Sequence, residues 1–179
     1  MEDKIKISAD EFFALRNTSK QRQELIEGTL KNIDACTIQH QQTVIALSDY
    51  IRRYIQHSEQ AGTVLPFMWS KINAHNVLIP DIQVTFKTVA LNITCYEGVP
   101  DWIIEVVSSD GSRDYFEKLE LYKNLGIREY WIVNPVRQTT TVLSSESNSL
   151  GLYSFEQTVP VNIYRNMPNP LEICIAELL

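Results

Sequence analysis

Two apolar runs, Val77-Leu78-Ile79-Pro80-Asp81-Ile82 and Trp102-Ile103-Ile104-Glu105-Val106-Val107, constrain this chain more than any other feature. Both read as strands, and each holds one acid in its middle. An ionised carboxylate inside an apolar strand is costly to bury unless a cation or strong donors compensate. Either acid alone is better read as an outward-pointing residue at a sheet edge or as the partner of an arginine than as a metal ligand. Two of them, 24 positions apart on successive strands, suggest a shared divalent metal. Carboxylate oxygens are the hard ligands that Mg²⁺ and Mn²⁺ prefer.

The flanking segments alternate in period. Ser8-Ala9-Asp10-Glu11 is a capping box, so a short helix begins there and carries Phe12, Phe13 and Leu15. Residues 24–30 read as a hairpin turning near Glu27-Gly28, with a second strand to about Ala35. His40, Val44, Leu47, Ile51 and Tyr54 recur at spacings of 4, 3, 4 and 3, one face of a helix over 38–57. After Gly62, strands are expected at 63–69, 77–86 and 102–107, then a helix over 112–124 stopped by Gly126 at C′. A strand at 130–133, another at 139–143 and shorter ones towards the end complete the pattern. The helix after 107 can serve as a right-handed crossover between parallel strands. The order is not a regular βαβ repeat, and no glycine-rich loop follows a strand, which disfavours Rossmann and P-loop readings. The expected class is a mixed α+β sheet with flanking helices, with residues 1–179 as one domain.

Composition sets the outer bounds. Hydrophobic residues at 44% and charged residues at 21% exclude disorder as the dominant state. No apolar run approaches a membrane span, and Met1-Glu2-Asp3-Lys4 lacks the apolar core of a secretory signal. A cytoplasmic protein without membrane association is expected. Cys36, Cys95 and Cys174 are isolated and read as reduced, mostly buried thiols. His40, His57 and His75 do not pair with them at zinc-ligand spacing. A net charge of −6 argues against coating nucleic acid by electrostatics alone.

A longer pattern is carried by Pro80-Asp81, by residues 100–108 (PDWIIEVVS), by residues 114–122 (DYFEKLELY) and by residues 126–135 (GIREYWIVNP). In order and spacing it resembles the Uma-type family of restriction-endonuclease-like domains, a branch of the PD-(D/E)XK nuclease superfamily. Glu24-Leu-Ile-Glu-Gly28 and the helix bearing His40 fit the same layout, so the likeness runs from about residue 12 to 143. It implies that Asp81 and Glu105 are metal ligands and that Glu24 completes the set, with a backbone carbonyl near Val106. The superfamily's lysine normally stands two residues after the second acid, where this chain has Val107. Family members carry one on the next helix, at the position of Lys118. Asp114, Lys118 and Tyr122 share one face of that helix by their i, i+4, i+8 spacing; a plain solvated lysine paired with Asp114 is the alternative. Asp101 precedes Glu105 by four residues on the same strand face, or, after Pro100, only marks the strand entrance. His40 reads either as a core residue of its helix or, as the family places a histidine there, as part of the site. Tyr130 and Trp131 read as core. Gln23, Ser109 and Asn134 depart from the residues common in the family.

The resemblance therefore implies a restriction-endonuclease-like fold and Mg²⁺-dependent cleavage of nucleic acid, DNA in the first instance, with Mn²⁺ as a substitute. Asp81, Glu105 and Lys118 are the implied catalytic residues; Asp81, Glu105 and Glu24 hold metal; His40, Asp114, Asp101 and Tyr122 support them. The acidic surface implies weak holding of the substrate, and double-strand cleavage would suit a homodimer. Drift and the displaced lysine leave a second class open, an inactive nuclease-fold module that binds nucleic acid or a protein partner. Hydrolysis of another phosphoester is a third, and a closed substrate-sized pocket would point to it.

Overall fold

The computed structural model describes residues 6–16, 22–33, 35–58, 60, 62–90, 93–108 and 112–179, and only the backbone at 16 and 112–117. Helix α1 (Ala9–Arg16) opens on the expected capping box: the Ser8 amide donates to Glu11 Oε2 at 2.7 Å, and the Glu11 amide to Ser8 Oγ at 3.3 Å. Strands β1 (Gln23–Ile26) and β2 (Thr29–Asn32) form the hairpin, turning on Glu27 at φ 50° and Gly28 at φ 78°. Positive φ at both central residues gives the turn the twist that a two-residue hairpin needs. The second strand stops at Asn32, short of Ala35.

Helix α2 (Ile38–Ser58) buries His40, Thr43, Val44, Leu47 and Ile51. Then come β3 (Thr63–Pro66), β4 (Ser70–Asn73), β5 (Asn76–Leu78), β6 (Ile82–Thr85), β7 (Tyr96–Glu97) and β8 (Trp102–Val106). Helix α3 (Ser112–Asn124) leads to β9 (Glu129–Asn134), β10 (Thr139–Ser144), β11 (Ser149–Ser154), β12 (Thr158–Pro160) and β13 (Glu172–Cys174). Helix α3 ends in a Schellman motif: Ile127 N–H donates to Tyr122 O and Gly126 N–H to Lys123 O, each at 3.2 Å, with Gly126 at φ 76°. Single 3₁₀ turns lie at Asn162–Tyr164 and Ile175–Glu177.

The central sheet runs β11-β10-β9-β8-β6-β3, antiparallel except for the β8–β9 pair that α3 connects. A second sheet runs β2-β1-β5-β4-β7, and β12 pairs with β13. Strand β8 is buried on both faces, and its alternation sorts two cores. Trp102, Ile104 and Val106 pack with Val44, Leu47 and Ile51 of α2 and with the C-terminal residues Val159, Ile163 and Ile173. Ile103 packs on the other face with Leu121 and Tyr122 of α3. Tyr130 and Trp131 are core residues as expected.

The run at 77–86 is not one strand. It divides into β5 in one sheet and β6 in the other, with Asp81 at the bend between them. Pro80 has no N–H for a ladder, and this is where the chain changes sheets. The expected strand at 63–69 likewise ends at Pro66, because Phe67 adopts φ 52°. The sequence pattern missed β4, which is polar, and β7, which has two residues. The cysteines are free, but Cys36 is exposed and Cys95 and Cys174 are half-buried, so the expectation of mostly buried thiols fails. No helix among the described residues is long and apolar enough to cross a membrane.

Candidate active site

Strands β6 and β8 are antiparallel neighbours in which Ile82 faces Ile104. Extended by one residue, that register brings Asp81 level with Glu105, near enough for the Asp81 charge to act on the Glu105 carboxyl. Asp81 is held there by the chain it faces: its Oδ2 accepts the Val106 amide at 2.8 Å. The same oxygen lies 3.1 Å from His40 Nε2 on α2. His40 is buried, and its Nδ1 has no partner among the described residues.

Glu24 arrives from the second sheet. It is buried on β1, where its Oε1 accepts the Ile79 amide at 2.8 Å, tying β1 to the segment that leads into Asp81. From α3, Lys118 Nζ reaches both remaining acids, 3.0 Å from Glu105 Oε1 and 3.3 Å from Glu24 Oε2. One turn further along the helix, the Tyr122 hydroxyl donates to Glu105 Oε1 at 2.7 Å. Glu24, His40, Asp81, Glu105, Lys118 and Tyr122 thus converge from both sheets and two helices.

Burial dominates the electrostatics. It pushes the Glu105 carboxyl up to about 7; Lys118 opposes this, while the charges of Asp81 and Glu24 add to it and the Tyr122 hydrogen bond resists it. Burial also disfavours the Lys118 ammonium, but Glu105 and Glu24 outweigh it and hold its pKa well above the ordinary value. Burial, followed by the Glu105 and Glu24 charges, pushes the Tyr122 phenol well up, so it stays a donor.

One expected residue stands apart from this cluster. Asp101 sits at the opposite end of β8 and is structural: its Oδ2 accepts the Phe86 amide at 2.7 Å and its Oδ1 the Arg128 guanidinium at 3.0 Å. It marks the strand entrance. Asp114 lies on α3, but its side chain is outside the described residues, as are Ser109 and its neighbours to Gly111. Asn134 fills the place of the family's aspartate by accepting the Val136 and Arg137 amides.

Sequence reasoning missed Phe67 and Arg22. The Phe67 ring stacks on His40 at 6.4 Å between centroids, its amide donates to Asp81 O at 3.1 Å, and the Arg22 guanidinium lies 5.4 Å from its centroid. Nothing in the local pattern marks them, since Phe67 sits in a turn after an apolar run and Arg22 precedes a short strand.

Three carboxylates facing one ammonium are a donor set suited to a hard divalent cation. Asp81 Oδ1 and Glu105 Oε2 carry no hydrogen bond among the described residues, and the Glu105 pKa is raised by burial first and by the Asp81 and Glu24 charges after it, against the opposing Lys118 ammonium. With Lys118 bridging Glu24 and Glu105, no three His, Cys, Asp or Glu side chains among the described residues form a ready-made cage. The chemistry of the set fits a metal, which would compete with the ammonium for the same oxygens.

Residues 9–169 match the family model described as Uma2: Putative restriction endonuclease. A solved structure of a putative nuclease belonging to DUF820, from Anabaena variabilis, shares the fold with a TM-score of 0.79 over 96% of this chain and 97% of that one. The two are 21% identical, a likeness that speaks for the restriction-endonuclease-like fold. No curated protein matches the chain.

Proposed function

This chain belongs to the Uma2 putative restriction endonuclease family, and we propose that it is a metal-dependent endonuclease hydrolysing phosphodiester bonds of DNA. The observation that carries the reading is Lys118: a helix places its ammonium 3.0 Å from Glu105 and 3.3 Å from Glu24, although the usual lysine position holds Val107. Glu24, Asp81 and Glu105 would hold Mg²⁺ or Mn²⁺. When bound, the ion supplies neutralisation of phosphate charge and acidification of water.

The chain's own residues do the rest. Val106 N–H and His40 fix the Asp81 carboxylate, while Lys118 and Tyr122 fix Glu105. Lys118 keeps its proton at neutral pH, so it serves as a cation that steadies charge growing on the phosphate and not as a general base. Cleaving both strands requires two such sites, and a homodimer is the simplest arrangement.

Cleavage of plasmid and oligonucleotide DNA with Mg²⁺ or Mn²⁺, against a chelator control, tests this. Asp81→Asn, Glu105→Gln and Lys118→Met should each lose on the order of 100-fold or more, while Glu120→Gln, an exposed acid on α3, keeps activity. A wild-type protein that cleaves neither DNA nor RNA with either ion overturns the reading.

The Lys118 bridge also favours a second reading, in which the ammonium permanently satisfies Glu24 and Glu105 and the fold only binds. Calorimetric titration with Mn²⁺ separates the two. Absence of binding leaves the inactive module.

A further inference from the structure

Arg22 immediately precedes β1 and stands two residues from Glu24, so both side chains leave that strand on the same side. Its carbonyl oxygen accepts the Ile33 amide at 3.0 Å, continuing the β1–β2 ladder and fixing its backbone beside the site. Its guanidinium is exposed, lies over the Phe67 ring, and has no carboxylate partner among the described residues.

Phe67 is itself fixed. A left-handed φ of 52° is unfavourable for an L-residue, and the hydrogen bond that its amide donates to Asp81 O helps to hold it there. Arg22, Phe67, His40 and Asp81 therefore form a connected series from solvent to the carboxylates, with exposed, half-buried and buried members in that order until Asp81 opens to the site. A guanidinium stacked on an aromatic face is pre-oriented yet keeps its fork of donors free, the geometry that pairs with a phosphate. Lys118 lies inside the cluster with most of its side chain removed from solvent, so it acts at the reacting centre and not on the strand arriving at the rim.

We propose that Arg22, pre-oriented on Phe67, is the phosphate-contacting residue that draws a nucleic-acid strand across the carboxylate cluster. The inference rests on the nuclease reading above and adds to it the residue that receives the substrate backbone. It assigns Phe67 as a positioning residue.

The test is salt-dependent binding of a fluorescein-labelled duplex oligonucleotide, and of one of its single strands, followed by anisotropy in Ca²⁺. Each phosphate contact contributes about 0.9 to the slope of log K against log salt on duplex and about 0.7 on a single strand. Arg22→Ala should lower the slope by about one such increment, and Arg22→Lys should retain it. Phe67→Leu should weaken binding while keeping the slope, because it removes the platform and not the charge. Arg53→Ala, whose residue pairs with Asp49 about 20 Å along α2 from His40, should change neither. A wild-type slope in Arg22→Ala overturns this inference and leaves the nuclease reading standing. Failure of the wild-type protein to bind either oligonucleotide at low salt overturns both.

Discussion

Lys118 shows how one side chain changes meaning with its surroundings. On the sequence it is one of several charged residues on a polar helix, with Asp114 as a ready partner. In the fold it bridges a strand acid from each sheet, and four-fifths of its side chain is removed from solvent. Removing it leaves two buried carboxylates without a cation. Lys118→Met should therefore cost about 2–3 kcal/mol in urea unfolding, somewhat less than the loss expected for a fully buried pair. The cost should be greater at pH 8 than at pH 5, because Glu105, with its pKa near 7, needs no partner once protonated. The family resemblance pointed to Lys118, Asp81 and Glu105 through short motifs in a fixed order. Phe67 had no such marker: its role depends on a positive φ and on the turn that brings it over His40.

Turns and tethers decide how the elements hold the site. Gly28 and Gly126 have nearly the same left-handed φ but different surroundings. A Cβ on Gly28 would stand 2.9 Å from Lys6 Cβ and 3.2 Å from the Ile7 carbonyl oxygen, whereas one on Gly126 would meet nothing within 4 Å. Gly126→Ala should cost about 1 kcal/mol for conformation alone, and Gly28→Ala about 2–3 kcal/mol. Chemical denaturation of the two variants checks the difference.

Glu129 on β9 tethers the C-terminal segment by accepting the Ile163 amide at 2.9 Å, and it also accepts the indole N–H of Trp131 on its own strand at 2.8 Å. Burial raises its pKa from 4.5 to about 7 despite those donors. Between these values the folded chain holds a proton that the unfolded chain releases. Its stabilising effect is thus complete below pH 4.5 and is lost as pH rises through 7, about 3 kcal/mol in all. Urea unfolding at pH 5 and pH 8 should show a fall in the wild-type protein larger by that order than in Glu129→Gln. Helix bounds, capping and the hairpin turn were readable from the chain because they arise from local hydrogen bonds and backbone preferences. The division of 77–86 into β5 and β6 was less so: Pro80 is visible, but which sheet each half joins is set by distant strands.

At the scale of the molecule, the net charge of −6 bears on affinity more than on activity. Part of that charge lies in the cluster of Glu24, Asp81 and Glu105, where a bound divalent ion, with Lys118, would neutralise the local field. A ligand that binds only the folded chain stabilises it by about 2.7 kcal/mol at 100 times its Kd. Mg²⁺ at that concentration should therefore raise the melting temperature by roughly 5–10 °C. Asp81→Asn should abolish the rise, as differential scanning fluorimetry would show. The sequence by itself determined the helices, the hairpin, the apolar strands and the two acids those strands cannot easily bury, because all of these follow from local periodicity and desolvation cost. Only the tertiary structure decided that Asp81 stands at a change of sheet, that Asp101 belongs to Arg128, and that Arg22 and Phe67 join His40 beside the carboxylates. Those outcomes depend on which strand pairs with which, and pairing between distant segments is fixed by packing of the whole chain and not by any short stretch of it.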